Sequence, residues 1–323
     1  MDAFIPGVLS LYGALLLILI LAPDKRWAMA IFGLGLALRF FGVGLRTNVG
    51  TDIEAYTAVL TQCDLSSINA LELFWNIGCL PSSLTADIVG FPFLWIGLLD
   101  TVLFWVIARK GGLRVAALHD LVYLPSTSMG AIRQALAMKL IILAVLIYLE
   151  NRNNPTWRAQ RWLLAAPLVH LAGVVPALAL KFKWSGMLTR IVIVALPVAV
   201  AIYLIDDAML TKIQFYLEFE GFRSVDAIYA SWIKRIFIVT GVLLLMRPAP
   251  FYWLLYAVGL LFASTEFIIP EIAVRIGAYF EQFEVFLIGA AMRPRLRRLG
   301  SIWYGLIGLA YVARFVSNVM TLS

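Results

Sequence analysis

Long apolar runs, broken by short polar punctuation, recur from one end of the chain to the other. They predict membrane-crossing helices over roughly 3–22, 27–45, 88–108, 113–127, 131–149, 163–180, 187–205, 231–247, 251–268, 271–291 and 301–319. A hydrocarbon core about 30 Å thick needs about 20 helical residues. Several of these runs are shorter, so tilted, broken or re-entrant helices are expected among them. The alternation that marks lipid-facing strands is absent. The expected fold class is therefore all-α: a polytopic integral membrane protein of about 10–11 transmembrane helices, arranged as a single domain over residues 1–323.

Polar stretches set the expected orientation. The basic clusters "PDKR" (23–26), "ARKGGLR" (108–114), "NRNNPTWRAQR" (151–161), "RPAP" (247–250) and "RPRLRR" (293–298) suit the cytoplasmic side. Segments 46–87, 128–132, 206–230 and 269–271 then fall outside, with 46–87 and 206–230 as periplasmic amphipathic or re-entrant segments. The count fails once. If 163–180 spans, "KFKW" (181–184) lies outside, whereas the C-terminal half requires it inside. Either 163–180 is re-entrant, or one predicted span is two half-helices or none. Pro176 and Pro197 leave room for such breaks.

Composition agrees. The chain is 62% hydrophobic and 14% charged, far from the roughly 45–50% and 25% of soluble domains. The N-terminal run follows Asp2 rather than a basic stretch, and is expected to stay as the first span. The net charge of +7 is topological, with no basic and aromatic stretch suited to nucleic acid. No phosphate-binding glycine loop and no Cys/His metal spacing occurs, so neither a cofactor nor a metal is expected. Cys63 and Cys79 both fall in 46–87. There they form a disulfide or remain two packed thiols.

Charges at the membrane rim are expensive and point to function, although long side chains can also snorkel. Arg39 and Arg46 are seven apart and share a helix face, with Gly42 and Gly44 leaving room for a close neighbour. In "VGTDIEAY", Gly50 permits a turn, and Asp52 caps a helix or orients an arginine. Tyr56 follows one turn later on the same face. Arg133 and Gln134 open a span among small residues. His170 lies within an apolar segment, as a packing group or a proton acceptor. Glu271, Arg275 and Tyr279 share a face of another span, as a helix ion pair or an anion contact. Arg223 belongs to the polar cover at 206–230. Arginines 46, 133 and 275, with 39 and 223, thus gather at the outer rim. Guanidinium forks match phosphate oxygens in pairs. A metal-independent site for a lipid-linked phosphate or pyrophosphate fits this set.

The series "RTNVGTDIEAY", "ELFWNIG", "GAIRQALAMKLIILAVLIYL", "LLAAPLVHLAG" and "VRIGAYFEQF" resembles the EpsG-type and Wzy-type polysaccharide polymerases. The resemblance runs from about residue 39 to 290. It implies a GT-C-like glycosyltransferase of the bacterial inner membrane, acting on its periplasmic or outer face. The implied substrates are glycan repeat units on undecaprenyl pyrophosphate, with a chain-length regulator and a flippase as partners. Arg46, Asp52, Tyr56, Glu72, Arg133, Gln134, His170, Arg275 and Tyr279 match its motifs. By this resemblance Arg46, Arg133 and Arg275 carry the leaving pyrophosphate. His170 takes the acceptor proton, with Asp52 or Glu72 next in line. Arg39, Tyr56, Glu72, Gln134, Arg223 and Tyr279 bind substrate. A lipid-linked oligosaccharide ligase and a flippase remain open alternatives.

Overall fold

The structure is a computed structural model. It describes residues 4–46, 56–58, 60, 73–151, 156–184, 225–245, 250–266, 270–290 and 297–320. Helices, joined by short turns, make up most of these residues, which contain no strand. Among the described residues two helices, Ile132–Glu150 and Ile302–Met320, are long and apolar enough to cross a membrane alone. A third span arises if the bent pair Gly78–Val89 and Leu94–Gly111 counts as one. Ile5–Leu21, Ala28–Gly44 and Pro250–Ala263 are apolar but shorter.

The chain clusters into two compact units. Unit 1 comprises Met1–Leu171 and Tyr304–Ser323. Its helices are α1 (Phe4–Leu21), α2 (Ala28–Gly44), α3 (Leu73–Val89), α4 (Leu94–Gly111), α5 (Leu113–Tyr123), α6 (Ile132–Glu150) and α7 (Trp157–Val169). Unit 2 comprises Ala172–Trp303. It holds α8 (Val174–Trp184), α9 (Val225–Leu245), α10 (Pro250–Ala263), α11 (Pro270–Glu281) and α12 (Glu284–Ala290). A last helix, α13 (Arg297–Met320), begins in unit 2 and runs through unit 1.

In unit 1 the centre is α6. From Ile132 to Tyr148 nearly every side chain is buried, so its apolar character on all faces is that of a core helix. Helix α13 is buried on the stripe Trp303, Ile307, Tyr311, Phe315 and Val319, about one residue per turn, and leaves Leu306, Leu309 and Val316 exposed. Helices α2 and α4 meet backbone to backbone. A Cβ on Gly97 would lie 2.7 Å from Gly44 Cα. Small residues permit this approach where apolar solvent gives no hydrophobic push. Gly90 adopts φ +77, a conformation that glycine tolerates, and the chain bends by 119° between α3 and α4.

Two basic residues of the 108–114 stretch lie at one end of this unit. Lys110 at the end of α4 reaches Glu150 at the end of α6, 2.5 Å away. Arg114 donates to the Ile20 carbonyl at 2.9 Å, joining the start of α5 to the end of α1. The run 163–180, whose crossing could not be counted from sequence, is interrupted. Thr156 caps α7 by accepting from Ala159 N–H. Pro167 withholds a donor from the last turn, and His170 leaves the helix in an extended conformation. A 3₁₀ turn, Leu171–Gly173, precedes α8.

In unit 2, α10 and α11 pack closely at Gly259, where a Cβ would lie 2.9 Å from Glu281 N. Phe262 stacks on Phe280 along the same seam, with ring centroids 5.7 Å apart.

Candidate functional site

Helix α2 delivers two arginines from one face, and their surroundings differ. Arg39 lies within the helix, fully buried. Its Nη2 is 2.7 Å from Asp100 Oδ2 on α4, and its Nε is 2.5 Å from Asp120 Oδ2 on α5. Nη1 donates to Thr101 Oγ1 at 3.4 Å, and the guanidinium lies over the Phe104 ring. Tyr12 on α1 donates to Asp120 at 2.8 Å. Lys139 on α6 stands 2.7 Å from the other oxygen of Asp100. Two cations and two carboxylates make this quartet formally neutral. That is the condition under which charges can stay buried in a low-dielectric interior. Arg39, expected to meet substrate, therefore has its guanidinium committed to these protein partners.

Arg46 emerges two residues past the end of α2 and is also fully buried. Its Nη1 donates to the carbonyls of Ser128 and Met129, both at 2.8 Å. These carbonyls are available because the chain from Leu124 to Ser128 forms a π turn, closed by Met129 N–H to Leu124 O. The guanidinium lies over the Phe93 ring, 4.7 Å from its centroid. Nε and Nη2 form the lateral fork of the group, and neither has a hydrogen-bond partner among the described residues. No carboxylate among the described residues forms an ion pair with Arg46. Burial pulls this guanidinium down to about 10, against the opposing pull of Asp100 and Tyr56. It remains a cation at neutral pH.

Tyr56 connects Arg46 to the next candidate. The Arg133 guanidinium, in the first turn of α6, lies over the Tyr56 ring at 5.7 Å. Arg133 is half-buried and Gln134 beside it is buried. His170 approaches the same end of the unit. Helices α6 and α7 form an antiparallel hairpin, so the end of α7 runs beside the first turns of α6. Val169 and Leu136 line one apolar groove there. By helix rise, the shorter α7 ends roughly one to two turns inside the start of α6. Arg46, Tyr56, Arg133, Gln134 and His170 thus belong to one end of unit 1. It is opposite the end that holds Lys110, Arg114 and Glu150.

Arg275 and Tyr279 lie on α11 in unit 2. Arg275 is half-buried and Tyr279 fully buried, its carbonyl accepting from Gln282 Nε2 at 2.8 Å. Asp52, Glu72 and Arg223 lie outside the described residues, as does Cys63. Cys79, on α3, is disulfide-bonded, and the chain contains just one other cysteine. Among the described residues no group of three or more His, Cys, Asp or Glu side chains is placed to hold a metal ion.

Sequence reasoning passed over Asp100, Asp120 and Lys139. The signal was present as single charges of opposite sign in separate apolar helices, which must find each other when buried. It also passed over a second cluster, in unit 2. Arg235 on α9 bridges Glu266 and Glu281 at 2.7 Å each, and Lys234 reaches Glu284 at 3.1 Å.

A family model described as the EpsG family matches residues 29–322. No curated protein and no solved structure matches the chain.

Proposed function

The chain belongs to the EpsG family, and from that membership we propose that it is a GT-C-like polysaccharide polymerase. It joins repeat units carried on undecaprenyl pyrophosphate, at the outer face of the bacterial inner membrane. The acceptor's sugar hydroxyl attacks the donor's anomeric carbon. The bond from that carbon to the pyrophosphate oxygen breaks, and both electrons leave with undecaprenyl pyrophosphate. The hydroxyl proton passes to His170, or to Asp52 or Glu72 in its place.

The observation that carries this reading is Arg46. It is a buried cation with an open lateral fork, held rigid by two carbonyls and an aromatic face. Such a group is out of balance until an anion with two oxygens arrives. Arg133 stands near it, across Tyr56. A leaving pyrophosphate gathers negative charge in the transition state, and preorganised cations in a dry site stabilise that charge without a metal. Arg275 keeps its expected part in carrying the pyrophosphate, and Tyr279 and Arg223 theirs in binding substrate. Arg39 acts behind Arg46 and not on substrate directly. Two further features support an outward site. Lys110 and Arg114 lie at the opposite end of unit 1, and basic residues favour the cytoplasmic side. The disulfide at Cys79 suits an oxidising compartment.

The test is the full-length protein in lipid nanodiscs, supplied with a synthetic lipid-linked repeat unit and a chelator but no nucleotide sugar. A ladder of products is expected from the wild type and is lost in Arg133→Ala. Absence of a ladder from the wild type with its native repeat unit overturns the polymerase reading. A single product on a different acceptor would instead mark a ligase.

A further inference from the structure

The turn that clamps Arg46 is itself held by a lysine for which the proposed chemistry has no use. Lys139 Nζ donates to Ser128 Oγ at 3.0 Å, while the carbonyl of the same Ser128 accepts from Arg46 Nη1 at 2.8 Å. Ser128 is thus gripped on its side chain from α6 and on its backbone from the end of α2. Asp100 holds Lys139 at 2.7 Å, and Arg39 ties Asp100 to Asp120 and so to Tyr12. Ser128, Lys139, Asp100, Asp120 and Arg39 are all buried.

We infer that Asp100 and Lys139 are positioning residues for the Arg46 anion site: they fix Ser128, and through it the direction in which the free fork of Arg46 points. The inference rests on the reading of Arg46 given above and goes one layer behind it.

The argument is geometric. A guanidinium presents three hydrogen-bonding edges. The position of the Ser128 and Met129 carbonyls decides which edge is consumed. Here Nη1 is consumed, and the edge formed by Nε and Nη2 is left for the ligand. A shift of the turn by about 1 Å would rotate the fork away from a pyrophosphate, and supporting contacts of this kind set such geometry. Apolar side chains would fill the same volume as Lys139 and Asp100 at lower desolvation cost. They would place no donor on the Ser128 hydroxyl. The quartet also hands Lys139 a carboxylate of its own. The ammonium is therefore neutralised within the quartet, and the Arg46 guanidinium forms no ion pair with a carboxylate among the described residues.

The test measures binding of a fluorescent polyprenyl pyrophosphate to the full-length protein in nanodiscs, alongside the thermal midpoint of each variant. Ser128→Ala removes the hydroxyl and alters no charge. The double variant Asp100→Leu/Lys139→Met removes one cation with one anion, and leaves Arg39 paired with Asp120. Both are expected to weaken binding about tenfold, as losses of supporting contacts do, with the midpoint held within a few degrees. Arg46→Gln, the reference, is expected to abolish binding. If Ser128→Ala binds as wild type while Arg46→Gln does not, the inference is overturned and the quartet is purely structural. Should Arg46→Gln also bind as wild type, the pyrophosphate reading of Arg46 falls, and this inference with it. Ser128→Ala decides the matter alone if the double variant does not fold.

Discussion

Arg39 Nη2 sits 2.7 Å from Asp100 Oδ2, across the line where α2 and α4 touch at Gly44 and Gly97. The ion pair and the glycine contact depend on each other. The glycines bring the two helices close enough for the charges to meet, and the charges stay buried only because they meet.

Gly97 is therefore expected to tolerate no side chain. A Cβ there would lie 2.7 Å from a backbone atom, which has no rotamer to escape into. Gly97→Ala should destabilise by about 1–3 kcal/mol, the range for overpacking, and Gly97→Leu should abolish folding. Thermal unfolding in detergent checks this. Gly305→Ala on α13, where nothing lies within 4 Å of the added Cβ, should leave the midpoint unchanged or raise it. Equal effects at both sites would refute the close-contact account.

Arg235 is the keystone of the acidic cluster in unit 2. Arg235→Met would remove the Arg235 cation from Glu266 and Glu281, and the carboxylate of Glu266 is fully buried. Breaking a buried pair from one side costs about 3–5 kcal/mol. Combining Arg235→Met with Glu266→Gln should recover part of that loss. A double-mutant cycle on thermal stability measures it, and strict additivity would argue against the coupling.

His170 is expected to act as base through its neutral imidazole. Activity should then rise with pH as the ring loses its proton, and reach a plateau. His170→Gln should lower the rate by about 10²–10⁴, the usual contribution of a positioned base, and should remove the acid limb of the profile. If the limb survives unchanged in His170→Gln, the proton goes elsewhere and Asp52 or Glu72 becomes the base to test.

The cysteines report on orientation. In whole cells a membrane-impermeant maleimide should label the chain only after a reductant is added, at Cys79 and its partner thiol. Labelling without reductant would show free thiols. A need to permeabilise the membrane would place Cys79 on the inner side and reverse the proposed orientation.

His170 shows how far the sequence reaches and where it stops. The apolar run around it was visible, and so was the failure of the topology count. The structure places a break within that run: Pro167 removes a helix donor, and three residues later the backbone turns extended. Parity counting left open whether 163–180 is re-entrant or one of the predicted spans is two half-helices or none. Arg39 and Arg46 show the complementary limit. They look alike in sequence, seven residues apart on one helical face, and both read as anion ligands. In the fold one is surrounded by carboxylates and the other by carbonyls and an aromatic ring.

What the sequence determined by itself was the class of solvent and of element. A chain this apolar, in runs of this length, satisfies its backbone inside helices and exposes them to lipid. Composition and periodicity are local properties, so they are legible residue by residue. The tertiary structure alone decided which charges cancel. Asp100, Asp120 and Lys139 come from three helices, and whether they neutralise Arg39 or Arg46 depends on distances of a few ångströms between segments far apart in the chain. Electrostatic energy in a low-dielectric interior depends steeply on those distances. Helix packing at Gly44 and Gly97 sets them, and Arg46 is left with a lateral fork that has no hydrogen-bond partner among the described residues.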